Sequence, residues 1–115
     1  MSNNLVWINT PTTIYGASTP ITLTDVRKTS CYTSLSVALE YAGNTPANLI
    51  ELKVTWFDQN QLTLFTETLV SSTSSSTNLS AIVSVKGAYA VLQLVGSINP
   101  TFNASTQAIL KHGSA

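Results

Sequence analysis

The sequence predicts an all-β protein, a single antiparallel β-sandwich or jelly roll of about eight short strands. Three observations point there. Apolar and polar residues alternate with a period of two in several separate stretches, as they do along a strand with one buried face. Turn-forming Gly, Pro, Asn and Ser separate those stretches at roughly the 8–12-residue spacing of a sandwich. No stretch carries the apolar period of an amphipathic helix.

Residues 1–24 read as strand-like but broken. Leu5-Val6-Trp7-Ile8 is a short apolar run, and Pro11, Gly16 and Pro20 interrupt the residues after it. Proline cannot donate a ladder hydrogen bond, so these pieces belong in an edge strand or an N-terminal arm. Trp7 has two readings, a core or edge residue of its own domain and a residue of an arm packed on a neighbouring subunit. Ile21 and Leu23 alternate with Thr22 and Thr24 and predict a short strand before Asp25. Arg27-Lys28 reads as a solvated loop or strand end. Cys31 shares the parity of Leu35, Val37 and Leu39 and is expected as a buried free thiol.

Residues 32–42 form the cleanest strand pattern, with Leu35, Val37, Leu39 and Tyr41 against Ser34, Ser36, Ala38 and Glu40. At 100° per residue these apolar positions spread round a helix; at 180° they line up. A loop with Gly43, Asn44 and Pro46 comes next. The stretch from Leu49 to Val70 organises the rest. Ile50, Leu52, Val54 and Trp56 share one face, Asp58-Gln59-Asn60-Gln61 is a polar turn, and residues 62–69 run back as a second strand. An antiparallel hairpin pairs the two with the shortest connection.

Residues 71–77, SSTSSST, are a polar surface connection. Leu79, Ala81, Val83 and Val85 then alternate with Ser80, Ile82, Ser84 and Lys86, and Gly87 breaks the run at a bulge or tight bend. Residues 88–95, AYAVLQLV, are apolar on both parities, which marks a strand buried on both faces or covered by a partner. After a loop at 96–100, residues 101–111 form the last strand. Phe102, Ala104, Ala108 and Leu110 lie on one side and Asn103, Ser105 and Gln107 on the other.

Composition bounds the function. The 115 residues fit one domain, 1–115, large enough to fold without metals or disulfides. Charged residues make up 9%, against about 25% in ordinary soluble domains. Net charge is zero, which does little to resist self-association and argues against nucleic-acid binding. One cysteine makes no intrachain disulfide, so the fold does not depend on an oxidising compartment. No apolar run reaches the roughly 18 residues of a membrane span. The N-terminus has no basic n-region and no long apolar h-region, so no Sec-type signal peptide is expected.

Chemistry-bearing constellations are sparse. Asp25, Glu40, Glu51, Asp58 and Glu67 all fall on expected outer faces or turns, and none is spaced to force a carboxylate pair. Cys31 as a nucleophile needs a base, and the one histidine, His112, lies near the far end. One His and one Cys far apart do not make a zinc site. No phosphate-cradling glycine loop and no nucleophile elbow is present. A sugar-binding surface survives, with Trp7, Tyr15, Trp56 and Phe57 as candidate aromatics. Trp56 has core parity, which leaves Phe57 the more exposed of that pair.

The run LSVALEYAGNTPANLIELKVTWFDQNQLTLFTETL, continued by SVKGAYAVLQLVG, resembles small β-sandwich or jelly-roll structural proteins of tailed-phage particles, including capsid decoration proteins. The resemblance rests on the strand ending in TWFD, the polar turn after it, and the VKGAYAVLQL pair around Gly87. It implies a virion component. Jelly-roll subunits of bacterial surface or spore fibres are similar in outline, but some of those crosslink through N-terminal cysteines, which this N-terminus lacks.

The expectation is therefore a non-enzymatic structural protein without cofactor or metal. It would self-assemble or bind a larger particle, as a phage capsid decoration, spike or fibre component of a virion. The alternatives are a subunit of a bacterial extracellular or spore-surface fibre and a small carbohydrate-binding module. Its partners would be itself, as a homo-oligomer, and a capsid or other particle protein, with no nucleic acid and no membrane. Its place would be a virion or extracellular surface assembly. Leu5, Val6, Trp7 and Ile8 are the expected intersubunit contact.

Overall fold

The computed structural model describes residues 5–15, 21–22, 24–42, 49–73, 77–96 and 101–112, with side chains at 22, 24–41, 49–73, 78–95 and 105–112. Nine strands run through them: β1 (Leu5–Tyr15), β2 (Ile21–Thr22), β3 (Arg27–Lys28), β4 (Ser34–Ala42), β5 (Ile50–Phe57), β6 (Thr63–Ser72), β7 (Thr77–Ser84), β8 (Tyr89–Gly96) and β9 (Thr101–Lys111). They form two antiparallel sheets. The first has the order β1-β9-β4-β7, and the second has β2-β8-β5-β6 with β3 also on β8.

The excess over eight strands has a simple origin. β2 pairs with Leu94 and Gln93 of β8, while β3 pairs with Ala90 and Tyr89 of the same strand. They are two pieces of one interrupted strand. Between them the Thr24 hydroxyl accepts the Leu92 N–H at 3.1 Å, standing in for the missing backbone partner. Arg27-Lys28 is thus a ladder segment, with Arg27 half-buried and Lys28 exposed.

Counted this way, the chain is a long hairpin wound into a sandwich. β1 pairs with β9, the β2–β3 strand with β8, β4 with β7, and β5 with β6. This nesting of first with last is the jelly-roll arrangement. The β5–β6 turn is its innermost bend. There the Asp58 N–H donates to the Leu62 carbonyl and the Gln61 N–H to the Asp58 carbonyl, both at 2.9 Å. Asp58 Oδ1 also accepts the N–H groups of Asn60 and Leu62. Gln61 takes φ of 62°, the left-handed residue that closes such three-residue loops.

The core follows the alternation. Leu35, Val37, Leu39 and Tyr41 of β4 meet Ile50, Leu52, Val54 and Trp56 of β5, with Ala90, Leu92 and Leu94 of β8 and Ala108 and Leu110 of β9. Each fully buried Leu or Ile contributes roughly 1.5–3 kcal/mol of transfer free energy. β8 has buried residues on both faces. Val91 and its neighbour Thr55 are buried on the outer face as well.

Two expectations are corrected. Cys31 is exposed, not a buried thiol. β4 begins at Ser34, and the Tyr32 N–H closes a turn onto the Thr29 carbonyl, so the strand parity does not extend back to Cys31. Glu67 is not on an outer face. It pairs with Val54, whose side chain points into the core, and therefore faces inward at the sandwich margin.

Gly87 sits where the chain crosses from β7 to β8. A Cβ there would lie 2.7 Å from the Phe57 carbonyl oxygen and 3.1 Å from Trp56 Cβ. That carbonyl accepts the Ala88 N–H, and the Thr29 hydroxyl donates to the Gly87 carbonyl at 2.8 Å. The glycine allows three segments distant in sequence to meet backbone to backbone.

Candidate functional site

A jelly roll leaves open sheet edges, and here the two sides differ. On one side lie β1, which contains Pro11, and the short, basic-ended β2–β3 strand. On the other lie β6 and β7, ten and eight residues long, without Lys, Arg or Pro. Proline, charge and shortness guard edges against further strand pairing. The β6–β7 side has little of this. Its one charged residue, Glu67, is turned inward. Leu62, Leu64 and Phe65 are exposed along β6 and its turn, and Ile82 on β7 is 70% exposed.

Glu67 holds that side together. Its Oε2 accepts the indole N–H of buried Trp56 at 2.6 Å, and Lys86 Nζ donates to Oε1 at 3.2 Å and Oε2 at 2.9 Å. Lys86 lies just beyond the end of β7, so the pair clasps the margins of the two sheets. Partial burial pushes the Glu67 carboxyl up. The hydrogen bonds from Lys86 and Trp56 and the Lys86 charge outweigh it and hold the group below the ordinary carboxylate value.

The outer face of the first sheet carries a groove of about 430 Å³. β4 forms its floor. Glu40 stands in register with Asn78 on β7 and Ser105 on β9, and Ala38 with Ser80 and Gln107. The small Ala38 between longer polar neighbours makes the depression. These residues were legible as the polar parity of three strands. Nothing local said that the three strands would lie side by side.

The side chains of Leu5, Val6, Trp7 and Ile8, and that of Tyr15, lie outside the described residues, while their backbone belongs to edge strand β1. Trp56 is fully buried and unavailable as a sugar platform, and Phe57 is half-buried. His112 comes to the Cys31 segment, where its ring meets Tyr32 edge-on with centroids 5.2 Å apart. Among the described residues no three of His, Cys, Asp and Glu gather as they would around a metal ion.

No protein-family model matches the chain, and no curated protein matches it in sequence. Solved structures do match in shape. A capsid chain of infectious bursal disease virus, Gx strain, superposes with TM-score 0.73 at 9% identity, over 96% of this chain and 32% of the viral one. The chain resembles viral capsid chains in fold. This chain spans about a third of the length of the capsid chains it matches. A subunit of the disulfide-linked endospore appendages of Bacillus superposes with TM-score 0.52 at 10% identity, over 99% of this chain and 88% of that one. The xylanase 10B of Clostridium thermocellum, solved as its CBM22-1 and GH10 modules, matches with TM-score 0.60 at 13% identity, over 99% of this chain and 26% of that one. At these identities the likeness is one of fold.

Proposed function

We propose that this protein is a non-enzymatic structural subunit that self-associates or binds a larger particle, and that the particle is a virion. Its role there is a decoration, spike or fibre component, of the tailed-phage kind its strand pattern resembles. The observation that carries this reading is the β6–β7 side, two long edge strands that contain no Lys, Arg or Pro and expose apolar residues. A neighbour's strand added there gains main-chain hydrogen bonds and buries apolar surface. Zero net charge and a fold shared with viral capsid chains support it. The apolar run Leu5–Ile8 on edge strand β1 is the second proposed contact.

Light scattering of the purified protein, with negative-stain microscopy of the same sample, tests the reading. Closed rings or trimers support a decoration or spike role. A monomer that also fails to bind empty capsids overturns it. Trp7→Ala separates the two roles of the N-terminal segment: an intersubunit Trp7 lowers the mass at unchanged melting temperature, and a core Trp7 lowers the melting temperature.

Long filaments would favour the alternative, a bacterial extracellular or spore-surface fibre subunit, for which the endospore appendage fold speaks. Such a fibre would not be linked by disulfides alone. A chain of bridges needs two cysteines per subunit, and this sequence has one. A carbohydrate-binding module is a further alternative. Of its proposed aromatics Trp56 is buried in the core, and the outer groove speaks for it.

A further inference from the structure

From the groove on the outer face of the first sheet, we infer a binding site for a neutral carbohydrate, in which the Asn78 and Gln107 amides, the Glu40 carboxylate and the Ser80 and Ser105 hydroxyls address sugar hydroxyls. It gives the carbohydrate-binding alternative a specific site, and it holds equally for a subunit that assembles and for one that does not.

The chemistry of the lining selects the ligand class. The floor strand β4 is paired on both sides, with β7 and with β9, so its ladder groups are taken and recognition falls to side chains. An extended peptide seeking backbone partners finds none on that floor. Among the described residues the lining contains no Lys or Arg, and its one charged group is the Glu40 carboxylate. Phosphates and other anions are therefore repelled. A single carboxylate falls far short of the roughly six to eight oxygens that hold calcium. Among the described residues no aromatic ring lines the groove to stack a nucleobase or a flat heterocycle.

Beside Ala38, Leu39 and Leu79, what remains is a dense set of amide, hydroxyl and carboxylate groups. Amides and hydroxyls both donate and accept, and a carboxylate accepts twice over. Sugar hydroxyls are donor and acceptor at once and arranged at short intervals, which such a set matches. The apolar contact a sugar ring also needs is at hand in the next row, where Ser36 is flanked by exposed Ile82 and half-buried Ile109. The volume is within the usual range of roughly 300–1,000 Å³ for small-molecule sites.

The test is titration of the full chain with cello-, manno-, malto-, xylo- and chito-hexaose, with a heparin-derived hexasaccharide as the acidic counterpart. Binding is read from amide chemical-shift changes. The expected result is saturable binding of at least one neutral sugar, with shifts centred on residues 38–40, 78–80 and 105–107. Gln107→Ala and Asn78→Ala should each weaken it at least tenfold. Ala38→Leu, which fills the floor, should abolish it, and an unchanged thermal melt shows each variant folded. No saturable binding of any neutral sugar overturns the inference. So do shifts centred elsewhere, undiminished binding by these folded variants, or tighter binding of the acidic probe.

Discussion

Two single residues show how narrowly this fold is fitted. At Gly87 the added methyl of alanine would meet the Phe57 carbonyl at 2.7 Å, and that oxygen belongs to backbone already engaged with Ala88. A backbone atom cannot rotate aside, so Gly87→Ala should cost about 2 kcal/mol or more, read as a lower urea midpoint at unchanged m-value. Thr106 is the opposite case. It is 2% exposed on the inner face of β9, and among the described residues its hydroxyl has no hydrogen-bond partner. Thr106→Val removes a dehydrated polar atom at nearly constant shape and should raise stability by about 1 kcal/mol in the same assay.

At the scale of elements, the margin between β6 and β7 decides stability and association together. The Glu67 carboxyl is held below its ordinary value, so it favours the native state above the unfolded-state pKa. That contribution is lost as pH falls through the lower folded value. The pair is partly exposed, with Glu67 at 24% and Lys86 at 38%, so its worth is about 1 kcal/mol or less. Glu67→Gln should lower the urea midpoint near neutral pH, and the gap from wild type should close in acid. A gap that stays constant with pH would show that the charge is irrelevant. On the same margin, Leu64 is 50% exposed beside a β-bulge. Leu64→Lys combined with Ile82→Lys places charge on both bare edges and should reduce the assembled mass to monomer at unchanged melting temperature. Persistence of the assembly would exclude this side as the interface.

For the whole molecule, the wound hairpin ties the ends of the chain together. β1 closes on β9, and β4 lies between β9 and β7, so the first sheet completes only when distant segments meet. Its inner face packs on the second sheet in one continuous core. Neither sheet has a core of its own, and unfolding should be all-or-none. In a Trp7→Phe background, fluorescence of Trp56 reports the second sheet and far-UV circular dichroism reports both. The two urea transitions should coincide; separated midpoints would mean that the sheets unfold independently.

The alternation by itself determined which residues of β4 and β5, and Ala108 and Leu110 of β9, enter the core, because side-chain direction in a strand repeats every two residues whatever the strand pairs with. The β5–β6 hairpin was legible for a similar reason: Asp58 to Gln61 is a local turn whose hydrogen bonds close within a few residues. Pattern failed where position depends on partners. Cys31 carried the parity of β4 but lies before the strand begins. Glu67 looked solvated, yet its pairing with Val54 turns it inward to Trp56 and Lys86. The need for glycine at 87 comes from Phe57, and the groove comes from β7, β4 and β9 lying side by side. Those arrangements belong to the winding of the sandwich. Only tertiary structure decided them, because strand neighbours are chosen by shared burial of surface from distant parts of the chain, and no local period encodes that choice.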